Sequence, residues 1–517
     1  MENKKGISLF ILIISIIVIL IFSGVVIYIV GKNNIIKNAT RARLEMDLKS
    51  FNEEMERTYA AMLAEDSNFK KENITALEEE VVKKYIPSLT EEYIDKVSIV
   101  KWKLYYESFS KVEMGFATKL GYSKNKDKLP KSVKVHELNI HPECLFANSY
   151  ICADGTFLIV SNNMEAIDGK MVTKCYITKL NKDFEIEWEK EYNQDSVEKK
   201  NQSIISTNVL SKRNGNILIE FFCKNKVEKD TAKTILELDL KGNEIYLNTK
   251  FYGDVDIKSI PKIYLEEKKN VYITVSTENF TNIEGKTKSK IIVSRLNKDF
   301  IEIKRTEIQE ENGDLQYSSL NKDNNGKFLL NATSYNDNIL YCLDKNLNII
   351  KRGFIKAPTN LGKLESNCYG ETFYINNEIY NYNTYKLYEK NIYNTIIRSI
   401  DEKNLVPKKE ITKIQGESES IVINNISASK DGNLYVYGIT NKKIGDIKNS
   451  EGSPYIEKID TKLNEKWELA IDYKGGNISS VKDIGSSIYL LGIKDPYFNS
   501  QGINKENRFK IIIECEF

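Results

Sequence analysis

Few residues in this chain are of the types that usually do chemistry. His136 and His141 are the only two histidines among 517 residues. They are five apart, and neither a metal site nor a Ser-His-Asp arrangement can be built from them without partners that the surrounding residues do not offer. The seven cysteines (Cys144, Cys152, Cys175, Cys223, Cys342, Cys368 and Cys515) contain no C-x-x-C pair, so zinc and thioredoxin-like chemistry lack their usual signature. Several sit inside apolar runs, as in Phe221-Phe222-Cys223, and read as small buried hydrophobes; a Cys144–Cys152 disulfide is one further arrangement. Asp344-Lys345-Asn346-Leu347-Asn348 and Lys124-Asn125-Lys126-Asp127-Lys128 are oxygen-rich, but they lack the glycine and distal glutamate of a calcium loop and read as solvated turns. No phosphate-binding loop, nucleophile elbow or H-E-x-x-H motif occurs. Trp102, Trp188 and Trp467 read as packing residues rather than a cofactor platform. The sequence therefore assigns no catalytic, cofactor-binding or metal-ligating residue, and the expectation is a protein that is not an enzyme.

The elements that would carry a function are clearer. Charged residues make up 29% and the formal net charge is only +2, with both signs interspersed, which argues against nucleic acid as a partner. Residues Ile7–Val30 form an uncharged run of 24, about 36 Å as a helix at about 1.5 Å per residue, enough to cross a bilayer. Lys32, Lys37, Arg41 and Arg43 follow it, outnumbering Lys4 and Lys5 before it, and by charge alone the bulk of the chain would stay on the cytoplasmic side. Beyond the span Leu44, Leu48, Phe51, Met55, Tyr59 and Met62 recur at helical spacing. Short helices over 72–97, with Thr90 as an N-cap, and strands over 97–106 and 112–120 are predicted next, giving an amphipathic stalk and a small α+β segment across 31–123. Residues 124–131 read as a linker.

The remainder is repetitive. A turn followed by a short apolar strand recurs with Phe157, Ile217, Val271, Phe328, Phe373, Leu434 and Ile488 in equivalent positions, 45 to 61 residues apart. A second marker, a strand ending in an acid or amide turn, follows six of these; Leu180-Asn181-Lys182-Asp183-Phe184 and Leu296-Asn297-Lys298-Asp299-Phe300 are nearly identical. About four antiparallel strands per unit predict a mainly β fold, a seven-bladed β-propeller over 132–517. The seventh unit is one strand short, and the unassigned stretch beginning Ser132-Val133-Lys134-Val135, within 132–140, is expected to complete it and close the ring. The loops Asn441–Pro454 and Asp495–Asn507 are where a ligand surface is expected.

Two resemblances bear on function. Lys4-Lys5-Gly6-Ile7-Ser8-Leu9-Phe10 resembles the prepilin-type leader of type IV pilin-like proteins, with 1–6 as the basic leader. That implies cleavage between Gly6 and Ile7 by a prepilin peptidase, a mature chain beginning at Ile7, other pilin-like subunits as partners, and a large domain outside the cell. Ile11 stands where the family carries a glutamate, so the resemblance leaves open a filament subunit or an uncleaved anchor. The units of the form Asp431-Gly432-Asn433-Leu434-Tyr435-Val436 resemble bacterial quinoprotein-like (PQQ-like) propeller repeats, many of which have lost any cofactor. Together these imply a single-pass, surface-exposed binding or adhesion module whose ligand is an unidentified protein or glycan; a membrane-tethered scaffold or sensor is the alternative.

Overall fold

The computed structural model describes residues 35–517 except 67–69, 109, 125, 143, 145, 168–169, 193–201, 213, 226–230, 254–261, 269, 282–286, 311–314, 324, 335–336, 358–363, 376–377, 388–392, 415–420, 430, 448–451 and 495–508. The candidate span Ile7–Val30 and the Gly6–Ile7 junction lie outside the described residues. Among the described residues no helix is long and apolar enough to cross a membrane.

A small α+β unit comes first. Helix α1 (Ile35–Glu65) lays Leu44, Leu48, Phe51 and Met55 into a core shared with Val82, Ile86, Tyr93, Ile99, Trp102 and Phe116. These four begin the apolar stripe read from the sequence; Tyr59 and Met62 are half-buried. Helix α2 (Glu79–Lys83) and a sheet of β1 (Thr75–Ala76), β2 (Val97–Val100) and β3 (Lys103–Tyr106) complete that layer. The indole N–H of Trp102 donates to Glu56 at 3.0 Å, tying the tight β2–β3 turn to α1. Two expectations fail here. The stretch after Thr90 is a series of turns rather than a helix, and it still brings Leu89 and Tyr93 into the same core. The stretch 112–120 is helix α3 (Lys111–Lys119) rather than a strand. Ser110 caps it, its hydroxyl accepting from the Glu113 N–H at 3.3 Å, and the helical turn brings Phe116 and Ala117 onto the core together.

The rest is mainly β, with the architecture of a β-propeller: seven four-stranded antiparallel sheets among the described residues. After β4 (Ser132–Leu138), the first holds β5 (Phe146–Ile151), β6 (Phe157–Ile167), β7 (Lys170–Leu180) and β8 (Ile186–Tyr192). The second holds β9 (Gln202–Ser211), β10 (Ile217–Asn225), β11 (Thr231–Leu238) and β12 (Glu244–Gly253). The third holds β13 (Lys262–Lys268), β14 (Val271–Thr281), β15 (Thr287–Leu296) and β16 (Glu302–Ile308). The fourth holds β17 (Gln316–Lys322), β18 (Phe328–Ser334), β19 (Asp337–Leu343) and β20 (Ile349–Ile355). The fifth holds β21 (Leu364–Ile375), β22 (Glu378–Leu387), β23 (Tyr393–Asp401) and β24 (Val406–Ile414). The sixth holds β25 (Ile421–Ala428), β26 (Leu434–Thr440), β27 (Ser453–Ile459) and β28 (Glu465–Ala470). The seventh holds β29 (Gly476–Ile484), β30 (Ser487–Lys494), β31 (Phe509–Glu516) and, from before the first sheet in the chain, β4. The pairing of β4 with β31 runs from Lys510↔Leu138 to Glu516↔Ser132.

Strand register corrects two repeat markers. Phe157, Ile217, Phe328, Leu434 and Ile488 each face the last or next-to-last residue of their sheet's third strand, and the residues that do so in the third and fifth sheets are Tyr272 and Ile379. Val271 is one residue early. Phe373 lies in β21, a first strand that is itself long and aromatic and so mimics the marker.

The second marker is an Asx turn. In five sheets the side-chain oxygen of Asn181, Asp239, Asn297, Asp344 or Asp460 accepts from the N–H groups two and four residues on, at 2.7 to 2.9 Å. The turn forces its fourth residue into the left-handed region: Phe184, Phe300, Leu347 and Leu463 have φ of 64°, 57°, 63° and 59°. That costs a non-glycine residue roughly 1–2 kcal/mol. Burying a leucine or phenylalanine side chain returns roughly 1.5–3 kcal/mol, and here the side chain is the wedge between sheets. Leu347 enters the core shared with the third sheet, Leu463 that with the fifth, and Phe300 that with the second. The second sheet has Gly242 instead, and a Cβ there would meet the Trp188 ring of the first sheet at 2.9 Å.

One further contact repeats. The carbonyl of the residue after the Asx residue accepts from the preceding sheet. Leu240 O takes Lys179 Nζ at 2.9 Å and Trp188 Nε1 at 3.1 Å; Lys345 O takes Arg295 at 2.8 Å; Glu402 O takes Lys351 at 2.6 Å; Thr461 O takes the Tyr380 hydroxyl at 2.7 Å. Trp467, opposite Lys458 as Trp188 is opposite Lys179, makes the same bond to Lys126 O at 2.9 Å, and Lys458 Nζ joins it at 3.0 Å. The segment 124–131 is thus not a linker. It stands in for the turn that the chain break removes from the seventh sheet. Lys126 itself is buried, its ammonium 3.0 Å from Glu107 of the α+β unit and 3.1 Å from Asp483 of β29.

Those contacts define which end of the sheets the α+β unit covers. Gly155 and Gly215, both in first-to-second-strand turns, abut Thr75 and Val81; Gly485, in the same turn of the seventh sheet, abuts Tyr105. Of the two expected ligand loops, the one from Asn441, between the second and third strands of the sixth sheet, therefore leaves from the opposite end, and Asp495–Asn507 lies outside the described residues. The first of them closes at Ser453, so Pro454 is already in β27.

Replacing Lys126 by Met strands the carboxylates of Asp483 and Glu107 in the interior. Loss of one partner of a buried pair costs roughly 3–5 kcal/mol, and a fall of that size in the unfolding free energy of Lys126→Met, read from denaturant titration, is expected. An unchanged midpoint would mean the lysine is not a tie.

Candidate functional site

Each second strand points alternate residues at the preceding and following sheets. At most junctions the row facing backwards is apolar: Phe157 and Ile159 against the seventh sheet, Ile217 and Ile219 against the first, Phe328 and Leu330 against the third. Two junctions depart from this, and buried polar groups need partners to offset their desolvation.

Between the fourth and fifth sheets the row is Ile379, Asn381, Asn383 and Tyr385, opposed by Asn331 and Asn338. Arg398, 1% exposed, lies among them, donating to Asn383 at 3.1 Å and to Glu410 at 3.3 Å. Burial foremost raises the Tyr385 phenol, and the Arg398 charge works against it. Side-chain atoms of Asn331, Asn338, Asn381, Asn383, Tyr385 and Asn394 are buried without a hydrogen-bond partner.

Between the second and third sheets the row is Tyr272, Thr274, Ser276 and Glu278, and here the sheets enclose a cavity of about 370 Å³. Its floor is Thr274, Ser276 and Ser294, all nearly inaccessible, with Ile235 and Ile292. Its outer lip comes from the fourth strands β12 and β16 and the residue before β16: Tyr246, Asn248, Arg305 and Ile301. The Tyr246 and Phe300 rings lie 5.6 Å apart on one wall. Phe300 is held there by the left-handed turn of Asn297. The cavity falls within the range of about 300–1,000 Å³ typical of small-molecule sites. The alternation Thr274, Ser276, Glu278 in a repeat whose members are mostly apolar at this row is the signal in the sequence that could find it.

The residues considered for chemistry are dispersed. His141 stacks on Tyr176 with ring centroids 3.8 Å apart and its Nε2 lies 2.8 Å from Glu189. His136 packs beside Phe184, its pKa lowered chiefly by burial. Trp188 and Trp467 are the sheet-to-sheet ties described above. Among the described residues no group of three or more His, Cys, Asp and Glu side chains is gathered as a metal site would need. Cys152 is a buried free thiol, so the disulfide considered between it and Cys144 does not form; Cys342 and Cys515 are likewise buried free thiols.

No family model matches the chain, and no curated protein does. Among solved structures it is similar to the WD40 domain of SCAP from fission yeast, at 10% identity and a TM-score of 0.39, covering 74% of this chain and 98% of that one. It is also similar to the GH93 α-L-arabinofuranosidase of Fusarium graminearum in complex with arabinobiose (11%, 0.38, 73% and 94%) and to the α-L-arabinanase of Penicillium chrysogenum (10%, 0.37, 75% and 98%). At such identities the likeness concerns the β-propeller fold alone. It does correct one expectation: glycoside hydrolases are among the similar propellers, so the flat exclusion of enzymatic activity is withdrawn.

Burial pushes the Cys152 thiol up to about 12. At pH 8 such a thiol is ionised in only about one molecule in ten thousand. Iodoacetamide at pH 8 should leave Cys152 unmodified in the native chain and alkylate it after unfolding, as read by peptide mass spectrometry; rapid native labelling would contradict its placement.

Proposed function

We propose that this protein is a membrane-anchored, surface-exposed module that presents a closed seven-bladed β-propeller for binding or adhesion. In this reading the seven sheets are the blades of one ring, residues 132–517 are the head, and Ile7–Val30 lies in the lipid bilayer. A prepilin peptidase cuts between Gly6 and Ile7, and other pilin-like subunits are the neighbours in the envelope. The head meets a protein or a glycan outside the cell.

The observation that carries the reading is the docking of the α+β unit on one end of the sheets. Helix α1 (Ile35–Glu65) lies a few residues past the uncharged run, and its core is continuous with Ala153 of the first sheet. In this reading α1 carries the head on the anchor, and the second-to-third-strand connection of the sixth sheet faces away from the docked end, where a partner can reach it. The second reading, a tethered propeller outside any filament, is favoured by Ile11 in place of the glutamate that docks pilin-like subunits.

N-terminal sequencing of the native protein, with protease treatment of intact cells, tests both. A mature start at Ile7 and release of propeller fragments from intact cells is the expected result. An intact Met1 with an externally cleavable head would leave the tether; a head that resists external protease until the cells are opened would overturn the surface assignment.

A further inference from the structure

The cleft between the second and third sheets has a defined chemistry. Its cations are already matched: Lys233 pairs with the buried Glu220, and the Arg305 guanidinium donates to Glu278 at 2.8 Å and to Glu307 at 2.9 Å. No unmatched positive charge is offered to an anion, and the exposed Asp299 and the carboxylate of Glu302 would repel one. What the cavity does present is hydroxyls, carboxylate oxygens and one amide around an apolar wall. Ser294 donates to Glu302 at 2.6 Å, Asn248 donates to Tyr246 at 2.8 Å, and Thr274 reaches only a long contact of 3.4 Å to the Ser294 carbonyl. Tyr246, Phe300, Ile235 and Ile292 supply the apolar surface.

A ligand that suits this must donate several hydrogen bonds to carboxylates, accept from an amide and hydroxyls, carry no charge, and lay a C–H face on aromatic and aliphatic side chains. We propose that the cleft is a binding site for a small neutral saccharide. Sugar hydroxyls would donate to Glu278 and Glu302 and bond with Thr274, Ser276 and Asn248, while a ring face covers Tyr246 and Phe300. The contrast with the other junctions supports this. Where Ile159, Ile219 and Leu330 occupy the corresponding row the sheets close on each other, whereas hydroxyls at 274 and 276 forgo that apolar stabilisation, about 25 cal/mol per Å², and keep the polar cavity open. The inference rests on the cleft alone and stands whichever side of the membrane the head occupies.

The test uses the full-length chain in a detergent without a sugar headgroup, with glucose, galactose and N-acetylglucosamine as probes and inorganic phosphate and citrate as charged controls. Binding is read by saturation-transfer NMR and by the shift in melting temperature. At least one sugar should bind and raise the melting temperature, the charged probes should not, and Thr274→Val with Ser276→Ala should weaken sugar binding at least tenfold while melting at or above the parent temperature. Should that pair fold poorly, Asn248→Ala at the exposed lip should weaken binding several-fold without changing the fold. Failure of all three sugars to bind, preference for phosphate or citrate, or sugar binding untouched by these substitutions overturns the proposal.

Discussion

The pairing of β4 with β31 is the constraint on which the rest depends. Each sheet covers its two faces with neighbours, and a run of sheets ends in two uncovered faces unless it closes on itself. Residues 132–138 bond to 510–516, so the start and end of the propeller region share one sheet. Phe157 and Ile159 of the first sheet then pack on Leu491 and Ile512 of the seventh. The missing turn of that composite sheet is replaced by Lys126, whose carbonyl takes the bonds that Leu240 O takes elsewhere and whose ammonium bridges Asp483 and Glu107. Closure of the sheets and attachment of the α+β unit are thus one set of contacts.

Sheet-to-sheet docking elsewhere uses the same parts. An Asx turn bends the chain, an apolar residue in the left-handed region is driven into the adjacent junction, and a carbonyl beside it is held by a Lys, Arg, Tyr or Trp of the neighbour. Because docking is secured at this end by the turns, the residues farther along each strand are freer to vary. The junctions at Thr274 and at Asn381 have become polar without loss of the architecture, one as an open cleft and the other as a closed network around Arg398.

This division explains what could be read from the residues. The turns are local, so Leu-Asn-Lys-Asp-Phe is legible as a repeated unit and gives the β class and the approximate period. Register is not local: Phe373 looks like a second-strand marker, and only the pairing of Ile379 with Ile400 shows otherwise. The role of 124–131 is illegible because a Lys-rich stretch has the composition of a solvated linker, and what pairs with Lys126 is Glu107 of the α+β unit together with Asp483, 357 residues further on. Residues 112–120 read as a strand-like run, but the cap at Ser110 starts a helix there. The cleft was missed because a cavity belongs to two sheets at once.

Hydrogen–deuterium exchange of the native chain measures the closure most directly. Exchange reports the free energy of opening each segment. The paired amides of Ser132–Leu138 should exchange as slowly as those of their partner strand Phe509–Glu516, and both should speed up together in denaturant. Fast exchange over 132–138 beside a protected 509–516 would show an open ring and contradict the account.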